Sequence, residues 1–285
     1  MAISVTPQEK AVLKNISIPP RPEVLLKIGE EAKKDDCDVS VIAEAIASDV
    51  GISAAVLQVV NSAAFRRAKE IESIHQAVMM LGLRRIYPIV KAVALRSSVK
   101  ATAELDAIWE LASEMAMACA AVCQRIGKPA LTDNAYMLGL FHMAGVPIMM
   151  QVFDDYADVM ALAKTQGWDA VVEQERAQYQ TSYATIGALL GQTWKLPAQL
   201  VEVIYYQLDT EGLFGSDELS DSALNLLAVL KIARKVVADA GGAFAIEQEW
   251  TSAQDDVIAQ LGLDEFSFDE LLDNVQLDLA GPEQD

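Results

Sequence analysis

Metal or nucleophilic chemistry in this 285-residue chain would have to be built from two histidines, three cysteines and a surplus of carboxylates. His75 and His142 lie far apart in sequence, and Met143 adds only a soft thioether beside the second. A single neutral imidazole does not hold a divalent ion against water, and zinc needs several thiolate or imidazole ligands. Cys119 and Cys123 stand one helical turn apart among alanines, with Cys37 alone. That pattern suits small buried apolar residues in a reducing compartment rather than a disulfide framework. Asp154, Asp155 and Asp209 show no cluster spacing. The segment Gly187–Gly191 lacks the lysine and preceding strand of a phosphate-cradling loop, and no serine sits on a nucleophile elbow. No cofactor is expected on these residues.

Charge narrows the partners. The formal net charge is −19, which opposes nucleic acid, since phosphate binding is driven largely by Lys and Arg. The charge is uneven: no Lys or Arg follows Lys235, thirteen Asp and Glu lie between Asp239 and Asp285, and residues 1–235 stand at only −6. The acidic end reads as a solubilising or partner-docking segment. No run of about 20 uncharged apolar residues is present, and the opening residues do not read as a signal peptide. The expectation is a cytoplasmic protein with no membrane segment.

The elements that must position these residues are helices. Thr6, Pro7 and Glu9 form an N-cap, a first-turn proline and a capping-box acid. Residues Ile18–Pro22 must be extended, because each proline pushes its predecessor out of the helical region. Pro22 opens a helix with Leu25, Ile28 and Ala32 on one face; Asp38 caps another with Ile42 and Ile46; a third starts near Asp49 with Ile52, Val56, Val59 and Val60. Ser73 and Gln76 form a capping box for a helix that stops at Gly82, and a further helix follows at once. After a break near residues 97–102, helices are expected over Ala107–Ile126, Asn134–Met150, Tyr156–Gln166, Thr181–Trp194, Pro197–Gln207 and Asp221–Ala240. Gly241 and Gly242 read as a hinge into the acidic segment, where Ser267 can cap a short helix. The fold class is all-α, without internal repeats. The helix–Gly–helix unit with Arg84, Arg85, Lys91 and Arg96 mimics a DNA-reading motif, but Pro88 interrupts its second helix.

Three segments go beyond generic helix patterning: Ile18–Pro22, Val59–Phe65 with Asn61 and Ser62, and Ser73–Leu83 with Gly82. In this order and spacing they resemble the HD-related output domain, HDOD, of bacterial signalling proteins, whose pattern is roughly "LPPLPEV", "ANSA" and "SI..A(I/V)..LG". The resemblance spans about residues 15–210. It implies a multi-helix HD-domain-like bundle with an N-terminal helical subdomain: residues 1–100 as that half, 101–242 as the HD-like half, and 243–285 as an acidic tail with short helices. Pro19, Pro20, Asn61, Ser62 and Gly82 carry architectural roles: extended entry, side-chain-to-backbone turns, and a left-handed backbone residue.

HD-superfamily hydrolases hold metal ions with several histidines and a His-Asp pair, and the resemblance locates those positions. Leu111 stands where the "W.HS" helix has its histidine. The "LLHDIGK" segment matches Leu140–Val146, so His142 remains while Met143 replaces the aspartate. Tyr183 replaces the histidine of "HAEVGA", and Gln207 and Leu208 replace both histidines of "I.YHH". What the resemblance leaves is a vestigial pocket of His142, Tyr183, Tyr206 and Gln207. The expected function is a non-catalytic signal-transduction or scaffolding module acting through protein contacts. The alternatives are a metal-dependent phosphohydrolase of the HD superfamily and a small-ligand or nucleotide sensor using the vestigial pocket. Other signalling proteins are the expected partners, through helix Leu83–Arg96 or the acidic segment, and self-association into a homo-oligomer is compatible with the sequence.

Overall fold

The computed structural model describes residues 9, 12–61, 71–100, 102–208, 212–242 and 244–280. Thr6, Pro7, Ser62 and Asp209 lie outside them. Among the described residues every regular element is helical, and the chain divides into two compact units, Pro19–Thr102 on the one hand and Met1–Ile18 with Ala103–Asp285 on the other. Residue 9 and residues 12–18 therefore group with the larger unit rather than with the N-terminal half. Thr185 Oγ1 donates to Glu9 Oε1 at 3.4 Å within that unit.

The smaller unit is built from α1 (Glu23–Glu31), α2 (Val39–Ala47), α3 (Val50–Val60) and α4 (Ile74–Ser98). Its caps are those the sequence expects. The Ser40 amide donates to Asp38 Oδ1 at 2.7 Å, the Ile52 amide to Asp49 Oδ1 at 3.0 Å, and the Gln76 amide to Ser73 Oγ at 3.1 Å. Each satisfies an otherwise orphaned first-turn donor. Leu25, Ile28, Ile42, Ile46, Val56, Val60, Ile86 and Val90 fill the core. Gly82 breaks α4 with φ 70° and ψ 166°, a backbone state that side-chain-bearing residues rarely adopt.

Asn61 ties the end of α3 to the chain ten residues on. Its Nδ2 donates to Ile71 O at 2.9 Å, and its Oδ1 accepts from Ile71 N at 2.8 Å. Ile71 is buried, so truncation would leave both of its backbone groups without these partners. Asn61→Ala is expected to lower stability by about 1–3 kcal/mol, to be read from urea denaturation followed by circular dichroism.

The larger unit comprises α5 (Ala103–Arg125), a short 3₁₀ turn (Pro129–Leu131), α6 (Thr132–Phe141), α7 (Val146–Val152), α8 (Tyr156–Gln166), α9 (Trp168–Tyr179), α10 (Tyr183–Thr193), α11 (Ala198–Tyr206), α12 (Asp221–Asp239), α13 (Glu247–Leu261) and α14 (Glu265–Ala280). Its axis is α12, buried nearly throughout from Ala223 to Val237 and packed by α5, α6, α11, α13 and α14. The alanine-rich face of α5 lets α6 approach closely. A Cβ on Gly139 would lie 2.5 Å from Ala116 Cα, so only glycine fits there. Cys119 and Cys123 are free and buried on α5. Burial pushes both thiols up, Cys123 to about 12, so neither is a thiolate at neutral pH.

Several expectations need correction. The helix expected over Asn134–Met150 is two, because residues 142–145 form a turn and Pro147 opens α7. Helix α9 falls in a stretch for which no helix is expected; its polar composition conceals the buried stripe Trp168, Val171, Val172, Glu175 and Tyr179. The segment after Gly242, expected as an acidic tail with short helices, forms two helices of 15 and 16 residues that bury an apolar stripe. Trp250, Ala253 and Val257 on α13 and Phe268, Leu271 and Val275 on α14 recur every three or four residues and are buried. Trp250 stacks on Phe268 with ring centroids 5.2 Å apart, and Arg125 grips Asp278 through a two-pronged salt bridge. Gly242 N donates to Val237 O at 2.9 Å, so the expected hinge is the C-terminal cap of α12. The final helix is capped by Asp264, which accepts from Ser267 N, rather than by Ser267.

The stretch Pro129–Val152 is long and apolar enough to cross a membrane, and 78% of its most apolar window is buried inside the protein. A bent pair, Val39–Ala47 with Val50–Val60, meets the same measure only when joined across a 112° bend.

One buried carboxyl gives the larger unit a signature in pH. Glu175 Oε1 accepts from Tyr156 Oη at 2.6 Å and from Tyr183 N at 2.7 Å, while Oε2 has no hydrogen-bond partner among the described residues. Desolvation outweighs those hydrogen bonds and raises the carboxyl from 4.5 to about 7. A folded-state pKa above the unfolded one means that this contribution is intact below about pH 4.5 and lost as pH rises to about 7. Glu175→Gln is expected to flatten the pH dependence of unfolding free energy over that window, as measured by denaturant titration at stepped pH.

Candidate functional site

Four helices of the larger unit, the turn after α6 and the loop before α13 meet around a small cavity. Leu111 and Met115 come from α5, His142 and Met143 from the turn after α6, Trp168 from the start of α9, and Arg234 from α12. Phe244, Ala245 and Ile246 precede α13, which contributes Glu249. The cavity is about 30 Å³, room for roughly two water molecules.

His142 is buried in the wall. Its Nδ1 lies 2.7 Å from Gly139 O, which assigns the proton to Nδ1 and leaves Nε2 bare. Burial, reinforced by the positive charge of Arg234, drives its pKa down to about 3, so the ring is neutral. The turn that carries it is clamped from behind: a Cβ on Gly145 would lie 2.0 Å from Tyr183 O and 2.7 Å from Gly187 N.

The other sequence-predicted residues are only partly gathered. Gln207 is fully buried; its Nε2 donates to His142 O at 2.7 Å and Ile204 O at 2.9 Å, and its Oε1 accepts from Arg234 Nη2. Tyr183 is fully buried against Trp168, ring centroids 4.5 Å apart. Its hydroxyl makes no well-formed hydrogen bond among the described residues, although the Arg234 guanidinium lies near it. Burial raises that hydroxyl's pKa, which keeps it protonated. None of Tyr183, Tyr206 and Gln207 lines the cavity, so His142 alone of the four expected pocket residues does; Tyr206 is half-buried, with its ring edge-on to Tyr205 at 4.9 Å. Leu111 and Met143 are buried and line the cavity, while Leu208 is half-buried and does not.

Sequence reasoning missed the centre. Glu249 Oε1 accepts from Lys231 Nζ at 2.6 Å and from Arg234 Nη1 at 2.7 Å, and all three side chains are at least nine-tenths buried. Desolvation alone would raise the Glu249 carboxyl; the Arg234 and Lys231 charges outweigh it and hold the group at about 2. Burial lowers the Lys231 ammonium while Glu249 resists that shift. A signal was present in the sequence: Lys231 and Arg234 stand three apart on one helical face, inside the run Leu226–Val237 that is apolar apart from these two and Lys235. Glu249 carried no such mark among the acids of its segment.

These residues do not fit the metal centre that an HD-type scaffold implies. Among the described residues no group of three or more His, Cys, Asp or Glu could hold a metal ion. A dication on His142 Nε2 would share the cavity with Arg234, a cation that does not deprotonate in proteins.

Comparison with known proteins agrees with the helical architecture. A family profile described as HDOD domain matches residues 18–210. An uncharacterized protein of Treponema pallidum (strain Nichols) is 26% identical over 192 residues, covering 66% of this chain and 37% of that protein. The chain thus spans little more than a third of the length of this curated relative. Among solved structures, a protein from Shewanella amazonensis SB2B described as a candidate phosphohydrolase is similar at a TM-score of 0.67 and 25% identity, over 94% of this chain and 96% of that one. A protein from Marinobacter aquaeolei VT8, described as a candidate signal transduction protein, gives a TM-score of 0.67 at 21% identity, over 96% of this chain and 64% of that one.

Proposed function

The chain belongs to the HDOD domain family, and we propose that it works there as a non-catalytic, cytoplasmic signalling or scaffolding module acting through contacts with other signalling proteins. One observation carries this reading. Beside His142, the one conventional ligand that the resemblance leaves, lies a buried Lys231–Glu249–Arg234 network, and the imidazole is neutral. The network holds the larger unit together and supplies neither an open coordination position nor a water-activating base. The relative described as a signal transduction protein is in keeping with the proposal.

The name of the Shewanella relative favours the competing reading, metal-dependent phosphoester hydrolysis. Against it stand Leu111, Met143, Tyr183 and Gln207 in the places of ligands. Sensing of a small ligand or nucleotide is disfavoured, because Tyr183, Tyr206 and Gln207 do not open onto the cavity beside His142, and that cavity, at about 30 Å³, is far below the roughly 300–1,000 Å³ of small-molecule sites. The reading is tested by incubating the full chain with bis(p-nitrophenyl) phosphate and with a cyclic dinucleotide in Mn²⁺ or Mg²⁺. No turnover above that of His142→Ala is expected, and turnover that this substitution abolishes would overturn the proposal.

A further inference from the structure

The two units carry opposite charge. Residues 19–102 hold twelve Lys and Arg against ten Asp and Glu, a net +2, while the rest of the chain stands at −21. Each unit also exposes large apolar side chains on one helix face, and these lie beside charges of that unit's own sign.

On α14, Phe268, Leu271 and Val275 face the core, while Phe266 is 78% and Leu277 67% exposed. Eleven residues are three turns plus about 20°, so Phe266 and Leu277 share one face about 16 Å apart. Asp269, Glu270 and Asp273 are exposed between them on that face. The result is a strip with an apolar anchor at each end and carboxylates in the middle. On α4, Ile74, Ala77, Val78 and Leu81 face inward, leaving Met79 64% and Met80 54% exposed. Just past the Gly82 break, Arg84 and Arg85 are exposed. Methionine adapts its shape to an incoming aromatic ring, and arginine pairs with carboxylates through two hydrogen bonds.

We propose that these surfaces bind one another between copies: the α14 strip of one chain docks on the exposed Met79–Arg85 segment of a second, Met79 and Met80 before the Gly82 break and Arg84 and Arg85 after it. Charge selects this arrangement. A symmetric contact of α14 with α14 would oppose carboxylates, and α4 with α4 would oppose arginines, whereas the head-to-tail pairing joins Arg84 and Arg85 to Asp269, Glu270 and Asp273. The inference goes beyond the signalling proposal and is independent of whether the buried site is catalytic. Both faces are exposed, so substitution there leaves the cores intact.

Sedimentation velocity on the full chain tests it. The wild type is expected to associate with rising concentration, less so at high salt. Phe266→Glu with Leu277→Glu, and separately Met79→Glu with Arg85→Glu, should each weaken association about tenfold or more. Mixing the two variants should restore one heterodimer, because each retains the face the other has lost. If the glutamates perturb α14, Phe266→Ser with Leu277→Ser serves in their place. A wild type that stays monomeric, association that survives either pair of substitutions, or a mixture that forms no heterodimer would each overturn the proposal.

Discussion

Glu249→Ala is expected to destabilise the larger unit by roughly 3–5 kcal/mol, because it strands two buried cations without their shared carboxylate. For a unit of this size that is a fall in melting temperature of roughly 10 °C or more. The cost comes from desolvation: Lys231 and Arg234 cannot regain water without opening the α12–α13 packing. Replacing all three charges by Lys231→Met, Arg234→Met and Glu249→Leu should recover most of the loss, since an apolar set of similar volume removes the uncompensated charge altogether. Acid should act like the single substitution. The Glu249 carboxyl sits at about 2 against an ordinary 4.5, so its contribution is complete above about pH 4.5 and disappears as pH falls toward 2. Denaturant titrations of the wild type, the alanine variant and the triple variant, repeated at stepped pH, separate these effects.

Gly145→Ala is the second large effect, expected at roughly 3 kcal/mol or more. The added methyl carbon would fall 2.0 Å from Tyr183 O and 2.7 Å from Gly187 N, and both are backbone atoms that no rotamer change can move. Relief requires the turn 142–145 to part from α10, which carries His142 out of the cavity wall. Gly51→Ala in α3 is the control: nothing lies nearer than 3.4 Å to its Cβ, so the change should be neutral or mildly stabilising. Thermal melts of both variants decide the matter.

Gly145 also explains why the family pattern remains readable around the turn that carries His142. The glycine of the "LLHDIGK" segment is required by the close contact of the turn with α10, and Gly139 by the contact of α6 with α5. Neither requirement involves a metal. The aspartate and lysine of that segment answer to other demands, and here they are Met143 and Val146.

The helices were legible where local chemistry settles them. Asp38, Asp49 and Ser73 are caps because their side chains reach first-turn amides, and Gly82 marks a break because its backbone takes a left-handed φ. Legibility failed where a long-range contact decides. The acids surrounding Trp250 and Phe268 masked a buried stripe, so α13 and α14 read as a tail. The Glu249 ion pairs join positions 15 and 18 residues apart, and nothing local distinguishes that carboxylate from its solvated neighbours. His142 was visible as a lone candidate ligand; that a guanidinium shares its cavity was not.

The central claim is that protein cations stand where metal ions would have to bind. The most direct measurement is the metal content of the full chain, expressed in medium supplemented with Mn, Fe and Zn, purified without chelators and assayed by inductively coupled plasma mass spectrometry. Only trace, substoichiometric metal is expected, unchanged in His142→Ala. Stoichiometric Mn, Fe or Zn that His142→Ala releases would contradict the account.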